Sequence, residues 1–229
     1  MAVSLLEREI YSYGDVDRLV GLTPGTAKRW LNGYSRGGAD YAPILREQPR
    51  SEDVVTWGEM VEARLLAEYR AKRVAVRHMR PAIERLRSEF GPYPLAHARP
   101  FLEVEGHELV MQIQHEVGLA DPLQLVVVRN NQLMLSDAVA RFRASVDYDQ
   151  AGSATSIVPQ PRTPNILLDP TRSFGQPVIR GRAVQTSTIA EDYRAGASIG
   201  EIADLYDLTS EQVDEALRYE LITTSQSAA

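Results

Sequence analysis

The sequence predicts a mainly helical α+β chain in three regions, on three observations. Apolar residues recur at i, i+3, i+4 through most of its length. Short strand-like runs with a hairpin turn interrupt that period in the middle. Clusters of glycine and proline, Gly37 to Pro49 and Gly152 to Pro164, divide the chain into residues 1–50, 51–158 and 159–229.

In the first region Val16, Leu19 and Val20 lie on one side of a short helix, and Gly21-Leu22-Thr23 turns the chain. Thr23 reads as the N-cap of a second helix with Pro24 at its first position, where the missing N–H costs nothing. Ala27, Trp30 and Leu31 form that helix's apolar face, leaving Thr26, Lys28 and Arg29 on the other. Two short helices about such a turn are a helix-turn-helix, and residues 32–38 supply a Gly-rich wing.

The middle region opens on the capping box Thr56 to Glu59 and continues as a helical pattern through Met60, Leu65, Leu66, Tyr69, Met79, Ile83, Leu86 and Phe90. Pro81 splits it into two helices meeting between Ala71 and Met79, the second stopped by Gly91-Pro92. Strand-like runs follow at residues 101–105, 123–128 and 132–135, the last two joined across Asn130-Asn131 as a small antiparallel hairpin. Residues 137–143 return to helix. The third region holds three helices: one with Ile189 and Tyr193 on one face and ended by Gly196, one capped by Ser198 with Glu201, and one capped by Thr209 with Gln212. It is a second helix-turn-helix-like unit, followed by a polar tail over residues 222–229.

The chain has 229 residues and no cysteine, which excludes a disulfide scaffold, a thiolate metal centre and a thiol nucleophile. The apolar run Leu125 to Val128 is far too short to cross a membrane. No apolar stretch of leader length stands before Glu7, so a cytoplasmic location is expected. The net charge of −6 divides into +3 over residues 1–100 and −9 over the remainder. Such asymmetry implies two different partners. Residues 18–39 carry four cations and no acid. The face expected to meet duplex DNA is Thr23, Thr26, Lys28 and Arg29 with Tyr34 and Arg36 of the wing; the bland alternative is a solvated cationic surface. The last helix, with Glu211, Asp214, Glu215 and Glu220 against Arg218, would repel phosphates and reads as a protein-interaction or dimerisation unit.

Two motifs invite catalysis and lack its context. Gly196 to Gly200 spells a nucleophile elbow, but a helical pattern rather than a strand precedes Ser198, which is better explained as a cap. His107-Glu108 and His115-Glu116 miss the spacing of a zinc helix and sit in what reads as a solvated hairpin. No Walker loop and no dinucleotide fingerprint occurs. The expectation is a chain without catalytic residues, metal or cofactor.

The third region carries a resemblance. Ile166-Leu167-Leu168-Asp169-Pro170, Phe174 to Arg182, Ser187-Thr188-Ile189, Gly196 to Ile199, Glu201-Ile202-Ala203, Leu208-Thr209 and Val213 to Leu217 resemble a small antitoxin-like domain encoded beside PIN-like ribonuclease toxins. Residues 13–33, through Leu19, Gly21-Leu22, Trp30-Leu31 and Gly33, resemble the winged helix-turn-helix of MerR-like regulators. As a whole the chain is similar to the longer antitoxins of VapBC-type toxin–antitoxin pairs. The resemblance implies an antitoxin that binds and neutralises a PIN-like ribonuclease and represses its operon as a homodimer on operator DNA. Arg180, Arg182 and Arg218, with Tyr219 as an aromatic anchor, are then the candidate toxin contacts, and local ion pairing is the alternative for the arginines. A large middle region and the absence of a disordered C-terminal half depart from shorter antitoxins. A MerR-like regulator whose middle region binds an effector or dimerises remains the second reading.

Overall fold

The computed structural model describes residues 4–72 and 75–227, and within them the fold is α+β and mainly helical. In chain order come β1 (Glu9–Tyr11), α1 (Tyr13–Val20), α2 (Thr26–Asn32), β2 (Tyr34–Arg36), β3 (Ala39–Tyr41), β4 (Val55–Thr56) and α3 (Trp57–Ala71). Then follow α4 (Arg80–Phe90), α5 (Arg99–Leu102), α6 (Val104–Glu116), β5 (Val126–Arg129), β6 (Gln132–Leu135), α7 (Asp137–Ala144), β7 (Val146–Tyr148) and β8 (Ala154–Ile157). The C-terminal part adds β9 (Ile166–Leu167), β10 (Val178–Ile179), α8 (Thr186–Arg194), α9 (Ile199–Tyr206) and α10 (Ser210–Ser227). The strands pair as separate two-stranded antiparallel ladders: β1 with β4, β2 with β3, β5 with β6, β7 with β8 and β9 with β10.

One cluster of buried side chains runs from Leu6 to Leu168 and is centred on α3, whose Trp57, Met60, Leu65, Leu66 and Tyr69 are all buried. The first two regions therefore share one core. A second cluster, Ile166, Ile179, Ile189, Ile202, Val213, Ala216 and Tyr219, belongs to the C-terminal module. The module is held against the N-terminal part by polar contacts: Arg8 donates to the Pro170 carbonyl at 2.7 Å, Tyr11 to that of Gly175 at 2.9 Å and Tyr219 to that of Leu19 at 3.5 Å.

Local chemistry explains most boundaries. The Thr56–Glu59, Ser198–Glu201 and Thr209–Gln212 boxes all form, each side chain taking the other residue's backbone N–H. Asn130 and Asn131 both take left-handed φ, 51° and 59°, closing the β5–β6 hairpin as a tight turn. α3 ends at Ala71 and α4 begins at Arg80 with proline in its first turn, as expected, although residues 73–74 lie outside the described residues.

Three expectations are corrected. The run at residues 101–105 is helical, not a strand: α5 and α6 meet at a corner where a Cβ on Gly106 would stand 2.1 Å from the Arg99 carbonyl oxygen. A short apolar run cannot by itself separate strand from helix. His107 consequently sits on α6, its Nε2 3.0 Å from the Phe101 carbonyl oxygen, rather than in a solvated hairpin. The expected polar tail is helical as far as Ser227, with Thr223 and Thr224 hydroxyls returning to the Glu220 carbonyl.

Glu62 of α3 is fully buried; one carboxyl oxygen accepts the Leu95 N–H at 3.1 Å and the other has no hydrogen-bond partner among the described residues. Burial pushes its carboxyl up to about 8, against the pull of that N–H and of Arg87. The folded chain thus holds a proton that the unfolded chain releases above the ordinary glutamate range. The contribution of Glu62 to stability is full below about pH 4.5 and falls by up to about 1.4 kcal/mol per pH unit as pH rises toward 8. Urea unfolding of Glu62→Gln at several pH values should lack this slope and show greater stability than wild type at pH 8; an unchanged slope would assign the pH dependence elsewhere.

Candidate nucleic-acid interface

The second helix of the N-terminal pair begins differently from expectation. Thr23 does not cap α2: Gly25, with φ of 77°, breaks the helical path before Thr26. The cap comes from Asp17 on α1, whose carboxylate accepts the Gly25 N–H at 2.6 Å and the Ala27 N–H at 2.8 Å. Burial raises the Asp17 carboxyl above its ordinary value, while those N–H groups, with that of Thr26, favour the charged form. This remote cap fixes α2 to α1, and Ala27, Trp30 and Leu31 bury the inner face as expected.

The far end of α2 is fixed by an ion pair inside the protein. Arg46 grips Glu59 with both arms of its guanidinium, at 2.7 and 2.8 Å, and also donates to Tyr13 Oη, Asn32 Oδ1 and the Val54 carbonyl at 2.9, 2.9 and 2.6 Å. These partners come from α1, α2, the strand entry and α3. The helix pair is therefore held rigidly on the central helix.

Beyond α2 the chain makes the expected wing. β2 and β3 pair in register, Tyr34 opposite Tyr41, with their rings stacked at 4.6 Å. Arg36 is exposed near the tip and Gly37-Gly38 closes it.

Two clefts flank α2. The larger, about 880 Å³, is walled by α2, the wing and the single-turn helix Val76–Met79; Arg29, Arg36, Arg70, Arg77 and Arg80 line it. Asp40 is the acidic residue in that lining, hydrogen-bonded to Ser35. The smaller, about 530 Å³, brings Arg18, Lys28 and Arg50 together with Asp17 and Asp53. Cations thus stand on both sides of α2.

Thr23, Lys28, Arg29, Tyr34 and Arg36 are exposed around these clefts. Thr26 is buried and cannot touch a partner, because its side chain is enclosed by Thr23, Arg29 and Arg70. Arg70 and Arg77 were not among the expected contacts. Their trace in the sequence is residues 69–83, which hold Arg70, Lys72, Arg73, Arg77 and Arg80 and no acid; Arg73 lies outside the described residues.

The residues expected to meet a toxin do not converge. Arg180 pairs with Asp147 at 3.5 Å, Arg182 with Asp207 at 2.6 Å, and Arg218 with Asp214 one turn away. All three side chains are about half exposed, so the pairs are worth little and open readily. Tyr219 is fully buried in the C-terminal core against α1 and is no surface anchor. Ser198 Oγ is bonded to Glu201, as a cap requires. Among the described residues no three His, Asp or Glu side chains gather as a metal site, and no helix is long and apolar enough to cross a membrane.

Residues 166–219 match DUF433, a family of proteins of unknown function. The uncharacterized protein Rv2308 of Mycobacterium tuberculosis is 44% identical over 223 residues, spanning 94% of this chain and 92% of the relative. From the same organism, the protein named "Putative antitoxin VapB45" is 28% identical over 223 residues, 91% of this chain and 92% of its own. The crystal structure of Rv2018 from M. tuberculosis superposes with a TM-score of 0.74 at 25% identity, covering 93% of this chain and 99% of that one.

Proposed function

The chain belongs to the same family as the uncharacterized mycobacterial protein Rv2308, and on that premise we propose that it is a non-enzymatic, cytoplasmic antitoxin that also represses its own operon. In this reading the C-terminal module binds and neutralises a cognate PIN-like ribonuclease. The α1–α2 pair and its wing bind operator DNA, with Lys28 and Arg29 toward the groove and Tyr34 and Arg36 on the flanking strand, in a homodimer on a pseudo-palindromic site. The observation that carries the antitoxin half is the end-to-end alignment with the relative bearing the VapB45 name. The DNA half rests on the two cation-lined clefts beside α2.

Co-expression with a PIN-like ribonuclease encoded beside its gene should yield a complex that survives size-exclusion chromatography and lacks nuclease activity. The absence of any complex at micromolar concentration would remove the antitoxin half and leave a stand-alone regulator. For the DNA half, Lys28→Ala with Arg29→Ala should weaken binding to a duplex from its own promoter and flatten the dependence of log K on log salt by about 0.9 for each phosphate that is no longer neutralised. Equal slopes for wild type and variant would show that α2 does not face the duplex.

A further inference from the structure

Around Thr26 the hydrogen bonds have an unusual polarity. A threonine hydroxyl has one proton to give and two lone pairs to receive with. Thr26 Oγ1 receives from Arg29 Nη2 and Arg70 Nη1, both at 3.1 Å, so both lone pairs are taken. Its proton then goes to Thr23 Oγ1, 3.0 Å away. Thr23 Oγ1 receives that proton and also one from Arg70 Nη2 at 2.6 Å, so its lone pairs are taken in turn. The Thr23 proton is left to be donated, and among the described residues no acceptor for it is present. Thr23 is exposed, as is Arg29, and Arg29 and Arg70 line the larger cleft.

The charge is equally one-sided. Two guanidinium groups meet on one neutral oxygen, and among the described residues neither forms an ion pair. Asp17 acts on Arg29 only at a distance, since its oxygens are spent on the Gly25 and Ala27 N–H groups. Everything this cluster has left to offer is a donor, carried on two positive charges. A cation or a donor group is repelled from it, whereas an anion with several acceptor oxygens completes it.

We propose that Arg29, Arg70 and Thr23 form a phosphate seat, with buried Thr26 as the hydroxyl that orients all three. The seat deepens the DNA-binding reading: the phosphate belongs to the duplex strand beside α2, and Arg70 makes α3 part of the interface. Arg77 lines the same cleft. The other source of the same chemistry is free inorganic phosphate.

Salt-dependent fluorescence anisotropy of the full chain on its promoter duplex tests the seat. Arg70→Gln should weaken binding about tenfold and reduce the salt slope by about 0.9. Arg70→Lys should restore the slope, which counts charge, and only part of the affinity, which needs the guanidinium fork. Thr23→Val should weaken binding at every salt concentration with the slope unchanged, because it removes a neutral donor. A brace between α3 and the turn would not move the slope, so an unaltered slope in Arg70→Gln overturns the seat and leaves DNA binding standing. Should Arg70→Gln fail to fold, Arg70→Lys and Thr23→Val carry the test, and wild-type affinity in both overturns it. Should the wild type bind no duplex, the DNA reading fails, and calorimetry with inorganic phosphate decides the seat: uptake lost in Thr23→Val and weakened in Arg70→Lys supports it, and no uptake overturns it.

Discussion

Replacing Arg46 by Met is expected to cost about 3–5 kcal/mol of folding stability, because it leaves the Glu59 carboxylate buried without its counter-charge. The two side chains are each about 95% or more buried, so water cannot take the place of the missing guanidinium. The pair is better described as a latch than as a source of net stability, since the attraction offsets the cost of drying both ions. A double-mutant cycle separates the two: Arg46→Met with Glu59→Gln should recover a large part of the loss, because no buried charge remains. Chemical denaturation of the single and double variants checks this, and a single-variant loss below about 1 kcal/mol would show that water reaches the pair. Arg46 also holds Tyr13 and Asn32, at the start of α1 and the end of α2. If the proposed DNA binding holds, the surviving folded fraction of Arg46→Met should therefore bind operator more weakly, although Arg46 itself is buried.

Truncating Tyr219 to Ala is expected to cost about 3–5 kcal/mol within the C-terminal module, as for other fully buried aromatics. The ring is the largest member of a buried cluster of few residues, and the cavity it would leave has little around it to collapse. Tyr219→Phe keeps the packing and gives up one long hydrogen bond to the Leu19 carbonyl, so it should cost about 1 kcal/mol or less. Hydrogen exchange distinguishes the effects by place. In Tyr219→Ala, amides of α8, α9 and α10 should lose protection while those of α3 keep it, reflecting two separate clusters of buried side chains. Equal loss in α3 would mean that the module and the main core unfold as one unit. If the proposed antitoxin activity resides in this module, neutralisation should fail in the same variant and survive in Tyr219→Phe.

Much of the fold was legible because its causes are local. A capping box is two hydrogen bonds between residues three apart, so Thr56–Glu59, Ser198–Glu201 and Thr209–Gln212 could be read from spacing and all form. The Asn130-Asn131 hairpin is local in the same sense, since two residues that tolerate left-handed φ fix the register of β5 on β6. The candidate site was legible only in part. Lys28, Arg29, Tyr34 and Arg36 follow from helix period and the Gly-rich wing, whereas Arg70 and Arg77 lie more than 40 residues along the chain from Lys28. What was misread depended on burial. Thr26 and Tyr219 have the residue types of contact positions, but α3 covers the first and α1 the second.

The sequence by itself determined the helix-rich class, the order of most elements, the wing, and the separation of a cationic N-terminal half from an acidic C-terminal one. Helical period and charge are properties of neighbours in the chain, and a capping box is a contact between residues three apart, so these features could be read without the tertiary structure. The tertiary structure decided which hydroxyls and aromatic rings reach the surface, that Asp17 rather than Thr23 caps α2, and that α3 and the single-turn helix after it bring Arg70 and Arg77 to the cleft. Those outcomes hang on which helix packs over which face, and the hydrogen bonds involved join residues whose separation in sequence carries no periodic trace.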